Sequence, residues 1–437
     1  LFYYLSLGLF ISENNGIDEI DKGKGTCVGF VFRGNIRLTT TPKPSRPRAL
    51  FSFCLFHFLD DGFSDSIYIL LPFIAAELRL SYSGIGLLRG ISYGSTGVFQ
   101  YPLSVLGERM GEALVILLGT FGTALGFLLL SKAHTFLTVL LSLLAAKTAG
   151  AGQHGLGSSV LSKVFEDSLR RAAMGTYNFS GDLGKVCVPF LLTLMINRWG
   201  WRDGLLFLSL GGLGVIALTF PLVFRQKVPL PLSRSTEEGS SRGNGWSIGW
   251  EHRKRFYALL TIGIIDIAAR YALLTFLPFI LLQKGVPKAE FGFALTLLFV
   301  GGAVGKFVCG LLAEWVGVLP MVVGTELLTT IGILSLTVLP TFWIWIVLPF
   351  LGIVLNGTSS VLYATVAEII PSDSRSRGYG IYYAVTLGMG SLSPLFFGFL
   401  TDAFGLYVTL TTTALMVLVT LPLSRYISSP KKATIGF

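Results

Sequence analysis

The sequence predicts an all-α membrane protein, with twelve transmembrane helices in two pseudo-symmetric six-helix bundles. Three observations carry this. Of the 437 residues, 52% are hydrophobic and only 13% charged, against about 25% charged in ordinary soluble domains. The apolar residues gather into twelve runs of membrane-crossing length. A shift of 206 residues lays the second half of the chain over the first, polar positions included.

The runs are roughly 50–76, 84–107, 112–131, 135–160, 174–197, 203–224, 255–282, 288–313, 318–340, 343–369, 378–401 and 404–426, here spans 1 to 12. Each approaches or exceeds the ~20 residues a tilted helix needs. Before them, residues 1–10 are apolar but too few to cross, and 11–48 are polar, ending in "TTTPKPSRPR". Residues 1–48 are therefore expected to be a disordered tail. The domains that follow are an N-terminal bundle (49–224), a linker loop (225–254) containing "RSTEEGSSRGNG", a C-terminal bundle (255–427) and a tail (428–437).

Lys and Arg in the loops set orientation. Nineteen of them fall on the side of the chain ends, against six on the other: Arg79, Lys132, Arg198, Arg202, Lys284 and Lys288. Both termini are expected in the cytoplasm and the protein in the plasma membrane. This bias also accounts for most of the net charge of +10 without invoking nucleic acid. Cys27, Cys54, Cys187 and Cys309 are too scattered for a disulfide framework or a metal site. No metal or cofactor is expected.

The 206-residue shift pairs Asp60 with Asp266, "LPF" at 71–73 with "LPF" at 277–279, Gly86 with Gly292 and Glu108 with Glu314. It also pairs Gly111 with Gly317, Asp167 with Asp373, Arg171 with Arg377, Tyr177 with Tyr383 and Gly184 with Gly390. Apolar monotony would match Leu with Leu, not Asp with Asp. Parallel six-helix repeats place a substrate site near the bilayer midplane, between the halves.

Two such halves, a long central loop and a short motif after spans 2 and 8 resemble the major facilitator superfamily. Its loop motif reads Gly-x-x-x-Asp-Arg-x-Gly-Arg. The second copy here has Gly310, Glu314 and Gly317, with Trp315 in the Arg position. The first has Ser104, Glu108, Arg109 and Gly111, with Glu112 where a basic residue is expected. The resemblance implies that Glu108, Arg109, Gly111, Gly310, Glu314 and Gly317 steady a gate. Within the superfamily, "HFLDDGFSDSIYILLPFIAAELRLSYSGIGLL" and "AEIIPSDSRSRGYGIYYAVTLGMGSL" resemble fosmidomycin-resistance-type exporters. "GAGQHGLGSS" keeps the His of that group's fourth-span His-Pro pair, His154, with Gly155 after it.

About a dozen ionisable groups fall inside the spans, and each costs a few kcal/mol if unpaired in lipid. They must pair, bind substrate or line water. His57, Asp61 and Asp65 share one face of span 1 at i, i+4, i+8, and Asp60 lies on the adjoining stripe. Lys147 and His154 share a face of span 4. Asp182–Lys185 and Asp266–Arg270 are each spaced to pair within one helix, and are read mainly as structural pairs. Spans 1, 4 and 7 line the central cavity in the superfamily. The resemblance therefore implies a substrate site of Asp61, Asp65, Lys147, His154 and Arg270. Proton coupling is assigned to His57, Asp60, Asp61 or Asp65, because burial disfavours the charged carboxylate while a nearby cation favours it. Arg89 is expected to snorkel from the end of span 2. Lys306, in "GGAVGKF", imitates a phosphate loop without its first Gly or its Ser/Thr and is read as a packing position.

The expected function is secondary active transport of a small organic solute by alternating access. Proton-coupled export of a drug or metabolite leads, with uptake of a carboxylate or organophosphate as the alternative. A membrane-embedded transferase is the remote third reading, disfavoured because no cytoplasmic loop carries Asp-x-x-Asp. The chain is not expected to be an enzyme. Its partners are the solute, protons and membrane lipids, and the superfamily resemblance implies a monomer.

Overall fold

The computed structural model describes residues 46–165, 167–225, 250–370 and 375–427. Most of the expected N-terminal tail and linker, and the tail 428–437, lie outside the described residues, as do Cys27 and Asp373. Span 1 is Arg46–Leu78, span 2 Tyr82–Met110 and span 3 Glu112–Ser131. Span 4 is broken into Phe136–Gly150 and Gln153–Val164, within its Gly-rich stretch. Spans 5 and 6 form one run, Asp167–Arg225, divided at Gly200, whose φ of 81° no helix can contain. Spans 7 to 11 are Trp250–Gln283, Phe291–Val316, Val318–Val338, Thr341–Ile369 and Arg375–Phe404. Span 12 is Leu406–Leu418 followed by Thr420–Ser424.

Nine helices among the described residues are long and apolar enough to cross a membrane on those grounds alone. One of them, Ala172–Pro221, is 50 residues long and is two spans folded at Gly200. Spans 1 and 2 have the length, 33 and 29 residues, but their polar side chains dilute their apolarity. Together these make twelve.

The repeat is written in the backbone as well. Arg79 and Gly285, 206 positions apart, both have positive φ (51° and 80°). So do Gly111 and Gly317 (99° and 91°), which turn the chain between spans 2 and 3 and between spans 8 and 9. Pro72 and Pro278, also matched, each sit inside a helix.

Span 1 is buried without interruption from Leu59 to Pro72. Span 7 is enclosed to a similar degree: 78% of its most apolar stretch is buried, where the other crossing helices fall between 39% and 56%. These two helices carry buried carboxylates, and protein surrounds them on all sides.

The halves meet at the face away from the chain ends. Gly86 of span 2 lies against the Pro394 backbone of span 11, where a side chain would collide. Asp402 at the end of span 11 accepts hydrogen bonds from the Tyr82 and Ser83 amides (2.8 and 2.9 Å). One half thus caps a helix N-terminus of the other. Nearby, Asn197 Nδ2 donates to the Ala289 carbonyl at 3.1 Å.

At the opposite face, the turn after span 2 is fastened by a residue the motif does not favour. Glu112 accepts from Ser159 Oγ at 2.5 Å and from Lys163 Nζ at 2.8 Å. Glu108, Arg109 and Glu314 are exposed, and Gly310 is half-buried.

A clamp at the outer ends holds the first half together. Arg202 donates to Glu77 Oε1 (2.6 Å) and to the Ser131 and Ala133 carbonyls (2.9 and 2.6 Å), while Trp201 Nε1 donates to Glu77 Oε2 (3.0 Å). The hydrogen bond from Arg202 holds the Glu77 carboxyl below its ordinary range. A group lowered in this way stabilises the fold above its unfolded value and ceases to do so as pH falls through the folded one. Glu77→Gln should therefore lower thermal stability by about 1 kcal/mol or less at neutral pH, given the exposure of the pair. The gap to wild type should close as the medium is acidified; a gap that stays constant with pH would contradict the assignment.

Candidate substrate and proton site

A cavity of about 900 Å³ lies between the halves. Span 1 contributes His57, Asp60, Asp61 and Asp65, span 4 Lys147 and His154, span 5 Asp182 and Lys185, span 7 Arg270, and span 8 Lys306. All five residues expected to bind substrate therefore line one chamber, as do the four expected to carry the proton. Asp266 stands behind the wall, 4% exposed, with its Oδ2 2.7 Å from Arg270 Nη2.

At one end His57, His154 and Asp61 form a triangle. His57 Nδ1 lies 2.8 Å from the Tyr177 carbonyl and its Nε2 3.2 Å from His154 Nδ1. Asp61 reaches both imidazoles, at 3.3 Å from His57 Nε2 and 3.5 Å from His154 Nε2. The Tyr177 carbonyl can only accept, so His57 Nδ1 bears hydrogen. The two imidazoles then need one hydrogen between them, and the His154 nitrogen facing Asp61 needs another. Two neutral imidazoles carry two hydrogens in all. The three contacts are satisfied together only when the triangle holds one extra proton.

From Asp61 a chain of charge runs to the other half. Lys185 Nζ is 3.1 Å from Asp61 Oδ2 and 3.6 Å from Asp182 Oδ1. Asp182 in turn lies 2.6 Å from Lys306 Nζ of span 8. Two expectations are corrected here. Lys185 is held by Asp61 more closely than by its helix neighbour Asp182, because Asp61 projects toward it from span 1. Lys306 is a cavity residue and the second half's end of the chain, not a packing position.

A third correction concerns Arg89. It does not snorkel; it is 1% exposed, with its guanidinium carbon 4.0 and 3.4 Å from the ring centres of Tyr68 and Tyr93. Tyr93 also lies beneath Lys147 Nζ (4.2 Å) and donates its hydroxyl to Asp65 (3.0 Å). It meets Tyr271 of the other half edge-on, at 5.1 Å between ring centres. An Arg and a Tyr four apart on one helix share a face, so the sequence held a signal for this pair that the depth argument overrode. Asp60 has its own partner, Thr123 of span 3, whose hydroxyl donates to it at 2.7 Å. Of the four cavity cations, Lys185, Lys306 and Arg270 each have a carboxylate within ion-pair distance. No ion pair involves Lys147 among the described residues.

His57, Asp61 and His154 offer three ligand atoms within 4.8 Å of one another, a spacing a metal could use. The Lys185 ammonium already occupies the Asp61 oxygen such an ion would take.

The Tyr93 cluster yields a graded prediction. Tyr93→Phe removes one hydrogen bond and should cost about 1 kcal/mol. Tyr93→Leu also strips the ring from Arg89 and Lys147 and should cost roughly 2 kcal/mol more. Thermal unfolding in detergent orders the two; equal losses would show that the ring does not support the cations.

Comparison with known proteins agrees with this architecture. The profile of the Major Facilitator Superfamily matches residues 53–265 and 259–436. The Probable L-galactonate transporter of Escherichia coli (strain K12) is 24% identical over 255 residues, covering 55% of this chain and 56% of that one. The Fosmidomycin resistance protein of the same organism is 20% identical, covering 80% of this chain and 85% of that one. Among solved structures, a bacterial homologue of the human lysosomal transporter Spinster, inward-facing and unoccupied, superposes with a TM-score of 0.71 at 17% identity. That likeness covers 89% of this chain and 100% of the other, and concerns the fold. With the profile matching nearly all of the described chain, and with two matched halves around a charged chamber, this protein is a member of the Major Facilitator Superfamily: an integral membrane transporter of small solutes, not an enzyme.

Proposed function

We propose that the protein couples proton movement to export of a small anionic solute across the plasma membrane, with both termini in the cytoplasm. The observation that carries this reading is the hydrogen count at His57, His154 and Asp61. A site that is complete only with an extra proton, facing a chamber between two movable halves, suits loading on one side and release on the other. Histidine serves this well, since small environmental changes move it through physiological pH.

Charge pairing supplies the coupling. Protonation of the triangle weakens the hold of Asp61 on Lys185. Lys185 then turns to Asp182 and competes with Lys306 for it, loosening a contact between the halves. Lys147, the cation without a carboxylate partner, is the natural counter-charge for the solute, with Arg270 assisting. Glu108, Arg109, Gly111, Gly310, Glu314 and Gly317 form the turns whose movement accompanies opening, and Glu112 fastens the first of them. Uptake of a carboxylate by symport is the second reading. It is favoured by the unpaired Lys147 and by the relative named for L-galactonate.

Everted vesicles acidified inside separate the two readings, with fosmidomycin and L-galactonate as probes. An exporter of this kind accumulates its probe, whereas a symporter expels it. Asp61→Asn should abolish gradient-driven movement while sparing probe exchange without a gradient. Unchanged gradient-driven transport in Asp61→Asn would remove the triangle from the mechanism.

A further inference from the structure

The repeat allows the two buried carboxyls, Asp60 and Asp266, to be compared position by position. In the first half Asp60 takes the hydroxyl of Thr123 on span 3 at 2.7 Å. The matched residue in the second half, 206 positions on, is Thr329 of span 9. Asp266 is held instead by Arg270, and Thr329 Oγ1 is buried with no hydrogen-bond partner. One turn earlier on span 9, Glu326 is 1% exposed and its Oε1 also lacks a partner. Its charge reaches Asp266 and Arg270. Arg270 Nε is likewise buried and unmatched.

Two ionised carboxylates around one guanidinium would leave a net negative charge in a dry interior, which is costly. One proton on Glu326 makes the group neutral. The other titratable side chains within electrostatic reach, among the described residues, are Tyr363 of span 10 and Tyr382 of span 11 on Asp266, and Tyr271 and Lys306 on Arg270. None of them supplies a second cation to Glu326.

We propose that Glu326 is a protonated positioning residue that frees Arg270 for an anionic solute. With Arg270 turned into the cavity, the Glu326 carboxyl and the Thr329 hydroxyl donate to Asp266 in its place. The first half shows such a hydroxyl-bound carboxylate at Asp60. No bond is made or broken beyond these hydrogen bonds, and the proton stays on Glu326. The proposal rests on the transport reading above only for the identity of Arg270's other partner.

Infrared spectroscopy of the full chain in lipid nanodiscs tests the protonation without any substrate. At neutral pH a carboxylic-acid band should be present in wild type, absent in Glu326→Gln and displaced in Asp266→Asn. Its absence from wild type would overturn the proposal whatever the transport assays show. Binding of the probes L-galactonate and fosmidomycin supplies the second arm. Glu326→Gln retains a donor and should bind as wild type does. Glu326→Leu should bind about tenfold more weakly, the loss of a hydrogen bond to a charged group. A Gln variant as impaired as Leu would count against the proposal. Should Glu326→Gln fail to fold, Thr329→Val must displace the same acid band, and an unmoved band would be a refutation. A wild type that shows the band yet moves neither probe would sink the transport reading alone.

Discussion

An ionised side chain cannot rest against hydrocarbon at mid-depth without a partner or water, and the architecture follows from that. Span 1 carries three carboxylates and a histidine, and span 7 a carboxylate and an arginine; these two helices are enclosed by the rest. The peripheral helices, richer in Leu and Phe, meet the lipid. A chamber between the halves is where so many charges can be hydrated and paired together.

Pairing across helices gives the charges a second role. The run from the His57–His154–Asp61 triangle through Lys185 and Asp182 to Lys306 begins deep in one half and ends in the other. Each member is shared between two neighbours, so a change in charge at one end redistributes contacts at the other. At the face away from the termini the halves are joined differently, by glycine contacts and by Asp402 capping span 2. These contacts are local and polar at their rim, a form of closure that can be undone without exposing a large apolar surface.

Much of this was legible in the sequence, because membrane depth and helical phase are one-dimensional properties. The twelve runs, the 206-residue repeat and the shared faces of His57 with Asp61 and of Asp266 with Arg270 all follow from counting. Contacts between helices do not. Nothing in the chain order says that Lys185 leans toward Asp61, that Lys306 reaches Asp182, or that Glu112 fastens the turn that Glu108 and Arg109 were expected to hold. Arg89 lies between these cases: its spacing to Tyr93 was readable, but its nearness to a helix end suggested solvent. Thr329 became meaningful only once Thr123 was seen bonded to the matched aspartate.

The central claim is that these ionisable residues face an aqueous chamber that opens on the side of the chain ends. In a variant lacking native cysteines, single cysteines at Ser158 and Asn178, both on the cavity wall, can be challenged with a membrane-impermeant thiol reagent. The account predicts rapid labelling from the terminal side, with cysteines at lipid-facing Leu125 and Leu141 unreactive. Labelling confined to the opposite side, or Ser158 and Asn178 as inert as the lipid-facing controls, would contradict it.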